Sequence, residues 1–334
     1  MTSLQVLMPV FNAGETLAET LDSLLAQTHR DFRLLIADDA STDDSLAIIN
    51  RYMRKDDRID LIKAERNRGI IETRNLLFEA ADAPIVALMD ADDICLPHRL
   101  EKQWMFLHRN SQIAAVGSGV QHFGEINNVY IPPGEHNKIM TAMTLGCAVL
   151  NPSVMVRRDK LFEHGIFCDP RFRGAADYDM WLRLGKVEQL ANLQEVLLKY
   201  RNHSAQESSA NLDRQRARHI DIVQRELAEV GIKASEIALS ALIWPRHLPD
   251  GLNILEAGEL VNNVMLKYAA ATGLPFEVDV NELYTAWDFR FRGICRRNGL
   301  RGLACYLKAR GLTAMTHGKH YGATFVWDCL TRTE

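Results

Sequence analysis

The chain has 334 residues, 47% of them hydrophobic and 25% charged, which is enough to bury a sizeable core as two domains or one large domain with an extension. A formal net charge of −4 and a pI near 6.3 weigh against a bulk electrostatic grip on nucleic acid, which needs a dominant cationic face. Six scattered cysteines form no C-x-x-C pair or Cys/His knuckle, and no uninterrupted apolar stretch approaches bilayer length, so the expectation is a reduced, cytoplasmic protein without structural zinc.

LQVLMPV reads as a first strand, ended by Pro9 and the turn-forming FNAG. Leu17, Leu21, Leu24 and Leu25 then recur at helical spacing and give one apolar stripe. FRLLIA is a second strand closed by Asp38 and Asp39, and STDDS offers an N-cap before the stripe of Leu46, Ile49 and Met53. IDLIKA is a third strand, GIIETRNLLFEAA a third helix, and PIVALM a fourth strand running into Asp90. This alternation predicts an α/β fold of βαβ units, with a mostly parallel sheet and helices on both faces. Ligands of such sheets gather outside the carboxyl ends of the strands, where Asp38, Asp39, Asp90, Asp92 and Asp93 fall.

From IAAVGSGV onward the alternation loosens, and FGEINNVYIPPGEH reads as a turn-rich excursion. SVMVRR is a strand, ADYDMWLRLGK a short helix and VLLKYRNH a last strand. Beyond about residue 205 the pattern becomes long and helical. The expected division is therefore a catalytic domain over 1–205, with the nucleotide side at about 1–110 and the acceptor and base side at about 111–205, followed by a helical extension over 206–334.

Asp90 and Asp92 form a D-x-D at a strand terminus, which can aim two carboxylates at one point. Hard divalent cations such as Mg²⁺ or Mn²⁺ favour such oxygen ligands and keep positions open for phosphate. Taken alone, a D-x-D is more often a solvated turn or helix cap; its place after a buried strand favours the ligand reading. A phosphatase of the haloacid-dehalogenase type would carry its aspartate after the first strand, not the fourth. No G-x-x-x-x-G-K-[ST] is present for a P-loop, and no G-x-G-x-x-G opens the first helix.

VLMPVFNAGETLAETLDSLLAQTHRDFRLLIADDASTDDS resembles the opening of family 2 glycosyltransferases, which have the GT-A fold. NRGIIETRN, LMDADD, NPSVMVRRD, AADYDMWLRL and YRNH match later blocks of that family in the same order, over roughly residues 3–204. The resemblance implies that Pro9, Phe11 and Asp39 hold the nucleotide base and ribose, with Asp39 accepting from a uracil N–H, and that Arg74 lies near the base and diphosphate. It makes Asp92 the direct ligand of Mn²⁺ or Mg²⁺, Asp90 a contact to the ribose or, through water, to the metal, and His203 the residue that completes the coordination. Asp177 becomes the base that takes the acceptor hydroxyl proton as that oxygen attacks the anomeric carbon. Ala176 stands where relatives usually have Glu, which bears on acceptor positioning; Asp179, two residues on, is a competitor for the base but points elsewhere on a helix.

The implied function is a metal-dependent, inverting hexosyltransferase that moves a sugar from a nucleotide sugar, with UDP as the favoured nucleotide, to a glycan or lipid-linked acceptor in bacterial surface polysaccharide synthesis. A rival of another class is a glycosyltransferase-like binding or scaffolding protein without turnover, which only Ala176 favours. A nucleotidyltransferase would begin with a Gly-rich basic loop that MPVFNAGETL does not supply. RFRGICRRNGLRGLACYLKARG mixes basic residues with Phe291 and Tyr306, so it fits either an interfacial helix at the inner face of the cell membrane or a helix packed on its own protein.

Overall fold

Seven consecutive buried residues make β1 (Leu4–Val10), and they can all be apolar or uncharged because both faces of the sheet are covered there: Leu4, Val6, Met8 and Val10 share a core with Leu17, Leu21 and Leu24, and the alternate residues are buried on the other face. The computed structural model describes residues 3–203, 212–244, 248–270, 274, 276–310, 325 and 329. The expected division at 205 and 206 lies outside them, as does nearly all of the sequence after residue 310. By its internal contacts the chain divides into two compact units, Met1–Ile139 with Ala148–Leu212, and Met140–Cys147 with Asp213–Glu334.

In the first unit, β1 pairs in parallel with β2 (Arg33–Asp38) on one side and β4 (Ile85–Leu88) on the other, and β3 (Ile59–Lys63) extends the sheet beyond β2. The helices between them are α1 (Leu17–Leu25), α2 (Ser45–Met53) and α3 (Ile70–Ala80). The order β3-β2-β1-β4 reverses direction at β1, so the carboxyl ends of β1 and β4 flank the switch point where open α/β sheets bind ligands. Beyond β4 the sheet becomes mixed. β8 (Met155–Arg157) runs antiparallel to both β4 and β6 (Ile113–Gly124), and β9 (Gln189–Asn202) runs parallel to β6. The short β5 (Ile94–Cys95) closes the order against the end of β9, and β7 (Val129–Tyr130) pairs with β6. Helices α4 (Arg99–Arg109), α5 (His136–Ala142), α6 (Arg158–Glu163) and α7 (Ala176–Gly185) complete the set.

The α2 stripe is shifted from its expected course. Tyr52, not Met53, is buried with Ile49, because its hydroxyl donates to Asp22 of α1 at 2.7 Å. STDDS does more than cap this helix. Asp43 accepts the Ser45 N–H at 3.0 Å and also the Gly14 N–H at 2.8 Å, while Ser45 Oγ accepts from Ala13 N at 2.8 Å. The loop after β1 is thereby fastened to the loop after β2, and Phe11 stands out between them at 49% exposure.

The second unit is helical, with its longer helices at Leu212–Glu229, Glu236–Ile243, Ile254–Ala269, Phe289–Arg297 and Gly299–Arg310. Ser235, Asn253 and Asp279 cap helix N-termini with their side chains. Asp288 is buried at the end of a π-helical turn and accepts from Arg292 Nε at 2.8 Å, Arg310 Nε at 2.9 Å and the Tyr306 hydroxyl. Phe291 and Tyr306 stack on each other with no exposure, so these two aromatics serve the core and are not available to a lipid surface. Among the described residues no helix is long and apolar enough to cross a membrane.

Residues 140–147 are tied into this unit. Thr141 Oγ1 accepts from Asp279 N at 3.0 Å, Thr144 Oγ1 from the buried Trp287 Nε1 at 2.8 Å, and the Leu145 carbonyl from His219 Nε2 at 3.1 Å. Burial, with the nearby Arg290 charge, pushes the His219 pKa down to about 4 from an ordinary 6.5. The unfolded chain therefore binds the proton that the folded chain refuses between those values, and stability falls as pH falls from 6.5 to about 4, by roughly 3 kcal/mol for this one group. His219→Gln, which keeps an N–H for Leu145, should flatten that loss. Urea unfolding at pH 7 and pH 4 measures it, and an equal pH dependence in both proteins would refute the assignment.

Candidate active site

The carboxyl ends of β1, β2 and β4 carry the expected donor residues. Pro9 is buried in β1, one position before its end. Asp39, 3% exposed, follows β2, and its two oxygens accept separately from Arg68 N and Gly69 N, each at 2.8 Å. Gly69 makes that cradle possible: its φ of +91° at the N-cap of α3 is a conformation that a side chain would strain. Each Asp39 oxygen retains a second lone pair, so the carboxylate can still accept from a ligand N–H.

Arg74 lies in the second turn of α3 and reaches across to Asp90, with Nη2 3.0 Å from Oδ1. With its amide oxygen turned toward the guanidinium, Asn151 also accepts from Arg74 Nη2 at 3.0 Å. Burial and the charges of Asp92 and Asp177 hold the Asp90 pKa above the usual carboxylate range, against the opposing pull of Arg74. The same Asp177 charge acts on Arg74, so these two elements, far apart in sequence, share one electrostatic neighbourhood.

Asp92 and His203 meet directly, Oδ2 to Nε2 at 3.1 Å. The sheet explains why: β9 runs beside β5, which starts one residue after Asp93, so the end of β9 returns to the end of β4. Asp93 secures that return. It is fully buried, and its Oδ1 accepts from Arg201 N at 2.8 Å, while the Arg201 side chain donates from Nε to the Asp92 carbonyl at 2.7 Å. Burial pushes the Asp93 carboxyl well above its ordinary pKa, and Oδ2 has no hydrogen-bond partner among the described residues.

An oxygen and an imidazole nitrogen 3.1 Å apart fit a divalent cation, since adjacent octahedral ligands at about 2.1 Å from an ion are about 3 Å apart. Asp90 is turned to Arg74. Among the described residues the only Asp/Glu/His/Cys trio with ligand atoms within 4.8 Å of one another is Glu163, His164 and Glu188, outside this site. Lys160 bridges both of those glutamates, at 2.9 and 3.0 Å, which marks the trio as an ion-pair network.

Asp177 is half-buried in the first turn of α7 and accepts from Tyr178 N at 2.9 Å. Asp179 is fully buried and held by Arg183, Nε to Oδ2 at 2.8 Å. Of the two candidate bases, then, only Asp177 is open to a substrate. Ala176 opens α7 and is buried. Asn75, Asn151, Arg183 and Arg201, to which the sequence assigns no role, fall inside the blocks NRGIIETRN, NPSVMVRRD, AADYDMWLRL and YRNH. The Asp179 and Arg183 pair carries a second signal, its i,i+4 spacing.

The sequence profile described as Glycosyl transferase family 2 matches residues 5–165. The chain is 30% identical over 211 residues to the O-antigen biosynthesis glycosyltransferase WbnJ of Escherichia coli, covering 60% of this chain and 80% of that protein. Among solved structures it is similar to S. aureus TarS 1–349 in complex with UDP, at a TM-score of 0.56 and 15% identity over 93% of this chain and 90% of that one. The mannosyltransferase PcManGT from Pyrobaculum calidifontis, in complex with GDP-Man and Mn²⁺, is similar at a TM-score of 0.56 and 14% identity, over 98% of this chain and 87% of that one.

Proposed function

The chain belongs to glycosyltransferase family 2 and has the GT-A fold, and from that premise we propose that it is an inverting, metal-dependent hexosyltransferase that takes a sugar from a UDP-sugar to a glycan or lipid-linked acceptor of a bacterial surface polysaccharide. The observation that carries this reading is one juxtaposition: Asp92 with His203, and Arg74 with Asp90, at the ends of β4 and β9, with the Asp177 charge acting on the second pair.

In this reading Pro9, Phe11 and Asp39 receive the base and ribose, and the exposed Phe11 ring offers the base a face. Arg74 offsets diphosphate charge. Asp92 and His203 would hold Mn²⁺ or Mg²⁺, with Asp90 beside them at the ribose. The chemistry supplied by a cation there is Lewis-acid stabilisation of the departing diphosphate. Asp177 takes the acceptor hydroxyl proton as the oxygen attacks the anomeric carbon from the face opposite the leaving group, so an α-linked donor gives a β-linked product. TarS with UDP supports a uridine donor, and PcManGT with Mn²⁺ supports the cation.

A thermal-shift screen of UDP, GDP and UDP-sugars with Mn²⁺, Mg²⁺ or chelator tests the donor side. A ligand at a hundred times its Kd should add about 2.7 kcal/mol of stability. UDP with Mn²⁺ is expected to raise Tm, and Asp92→Ala to remove the metal-dependent part of the shift. If no nucleotide stabilised the wild-type chain with either metal, the donor assignment would fail.

A further inference from the structure

Two short pieces of backbone, Phe167 and Cys168, are bolted from opposite sides. Asn75 of α3 donates from Nδ2 to the Cys168 carbonyl at 2.9 Å and accepts the Cys168 N–H at Oδ1, 3.0 Å. Arg183 of α7 donates from Nη2 to the Phe167 carbonyl at 2.6 Å, while its Nε is held by the buried Asp179 at 2.8 Å. The Cys168 thiol packs on Met180 of α7 at 3.7 Å. An unbroken chain of polar contacts therefore runs from α3 to α7. Its two ends lie beside the chemistry: Asn75 follows Arg74, and Asp179 is two residues from Asp177.

We infer that Asn75 and Arg183 are positioning residues, which fix Asp177 relative to the Arg74 and Asp90 pair through the backbone of Phe167 and Cys168. The inference rests on the proposed role of Asp177 as base. Between the bolt and α7 the chain makes one 3₁₀ turn at Pro170–Phe172, capped by Asp169, which accepts from Arg171 N at 2.9 Å, and Gly174 at φ +98° leads it into the helix. That loop holds itself by local bonds between neighbours in sequence, whereas the clasp bonds α3 and α7 to the same piece of backbone and so bears directly on how the two helices are spaced. A base misplaced by about 1 Å can lose roughly 10²-fold in rate while the donor still binds.

Cys168 gives a readout independent of activity, because its side chain is 2% exposed and burial pushes its thiol up to about 11. In Asn75→Ala and Arg183→Ala, alkylation of Cys168 by iodoacetamide, read by peptide mass spectrometry, should rise at least ten-fold. The kcat for UDP release from UDP-glucose, UDP-galactose or UDP-N-acetylglucosamine should fall ten- to a hundred-fold. The donor KM and the UDP Kd should stay within two-fold, and Arg183→Lys, which can reach one of the two partners, should fall between wild type and Arg183→Ala. Should either alanine variant be misfolded by circular dichroism, the other and the lysine variant carry the test. Wild-type kcat in the folded variants, or Cys168 as protected as in wild type, overturns the inference and leaves the proposed function standing. A wild-type chain that releases UDP from none of the three donors overturns the proposed function, and the inference with it.

Discussion

Asp177→Asn should leave UDP binding unchanged and slow sugar transfer by about 10²- to 10⁴-fold, the usual contribution of a positioned general base. The substitution is nearly isosteric, and the amide oxygen can still accept from Tyr178 N, so the first turn of α7 should stay intact. What disappears is the only carboxylate of this helix that a substrate can reach, because Asp179 is 0% exposed and committed to Arg183. On the donor side, loss of the Asp177 charge removes one of the influences that raise the Asp90 pKa, so the pairing with Arg74 should be at least as good as in the wild-type chain. Calorimetric UDP binding in Mn²⁺ and the rate of UDP release check the two halves separately. Transfer at near wild-type rate would remove Asp177 from the base role, and weakened UDP binding would make it a donor contact.

The parallel half of the fold was legible because its signals are local. Apolar runs of strand length alternate with helical stripes, and parallel strands of which β2 and β4 both end in aspartates put Asp39, Asp90 and Asp92 at one edge. The later strands were harder to read, since β6, β8 and β9 pair across more than thirty residues of intervening chain and leave no local signature. Asp93 shows the same limit. A carboxylate next to a D-x-D reads as a turn former, yet it holds the N–H of Arg201, 108 positions away, and so keeps His203 beside Asp92. The membrane reading of the basic C-terminal stretch fails for Phe291 and Tyr306 for a related reason: composition counts aromatics, and only packing shows which way they face.

A chain ending at residue 205 should not fold as a stable, soluble catalytic domain, although the change in composition invites that cut. The segment Met140–Cys147 belongs to the second unit, and the truncation removes His219, Asp279 and Trp287, its partners at Leu145, Thr141 and Thr144. Met140, Met143 and Leu145, all at 0% exposure, are then left without the unit they belong to. At about 1.5–3 kcal/mol for each apolar side chain returned to water, the loss is roughly 5–9 kcal/mol, comparable with the whole stability of a typical domain. The consequence reaches the site, because Asn151, a partner of Arg74, follows Cys147 by only four residues. The truncated chain is expected to aggregate, or to melt without a cooperative transition, and to lose UDP binding. Removing residues 140–147 as well, with a short Gly/Ser bridge in their place, should recover solubility, because it deletes the orphaned surface together with its partners. Size-exclusion chromatography and a thermal melt of the three chains decide the matter: a cooperative, UDP-binding chain ending at 205 would mean that residues 140–147 do not need their partners at His219, Asp279 and Trp287 for the first unit to fold.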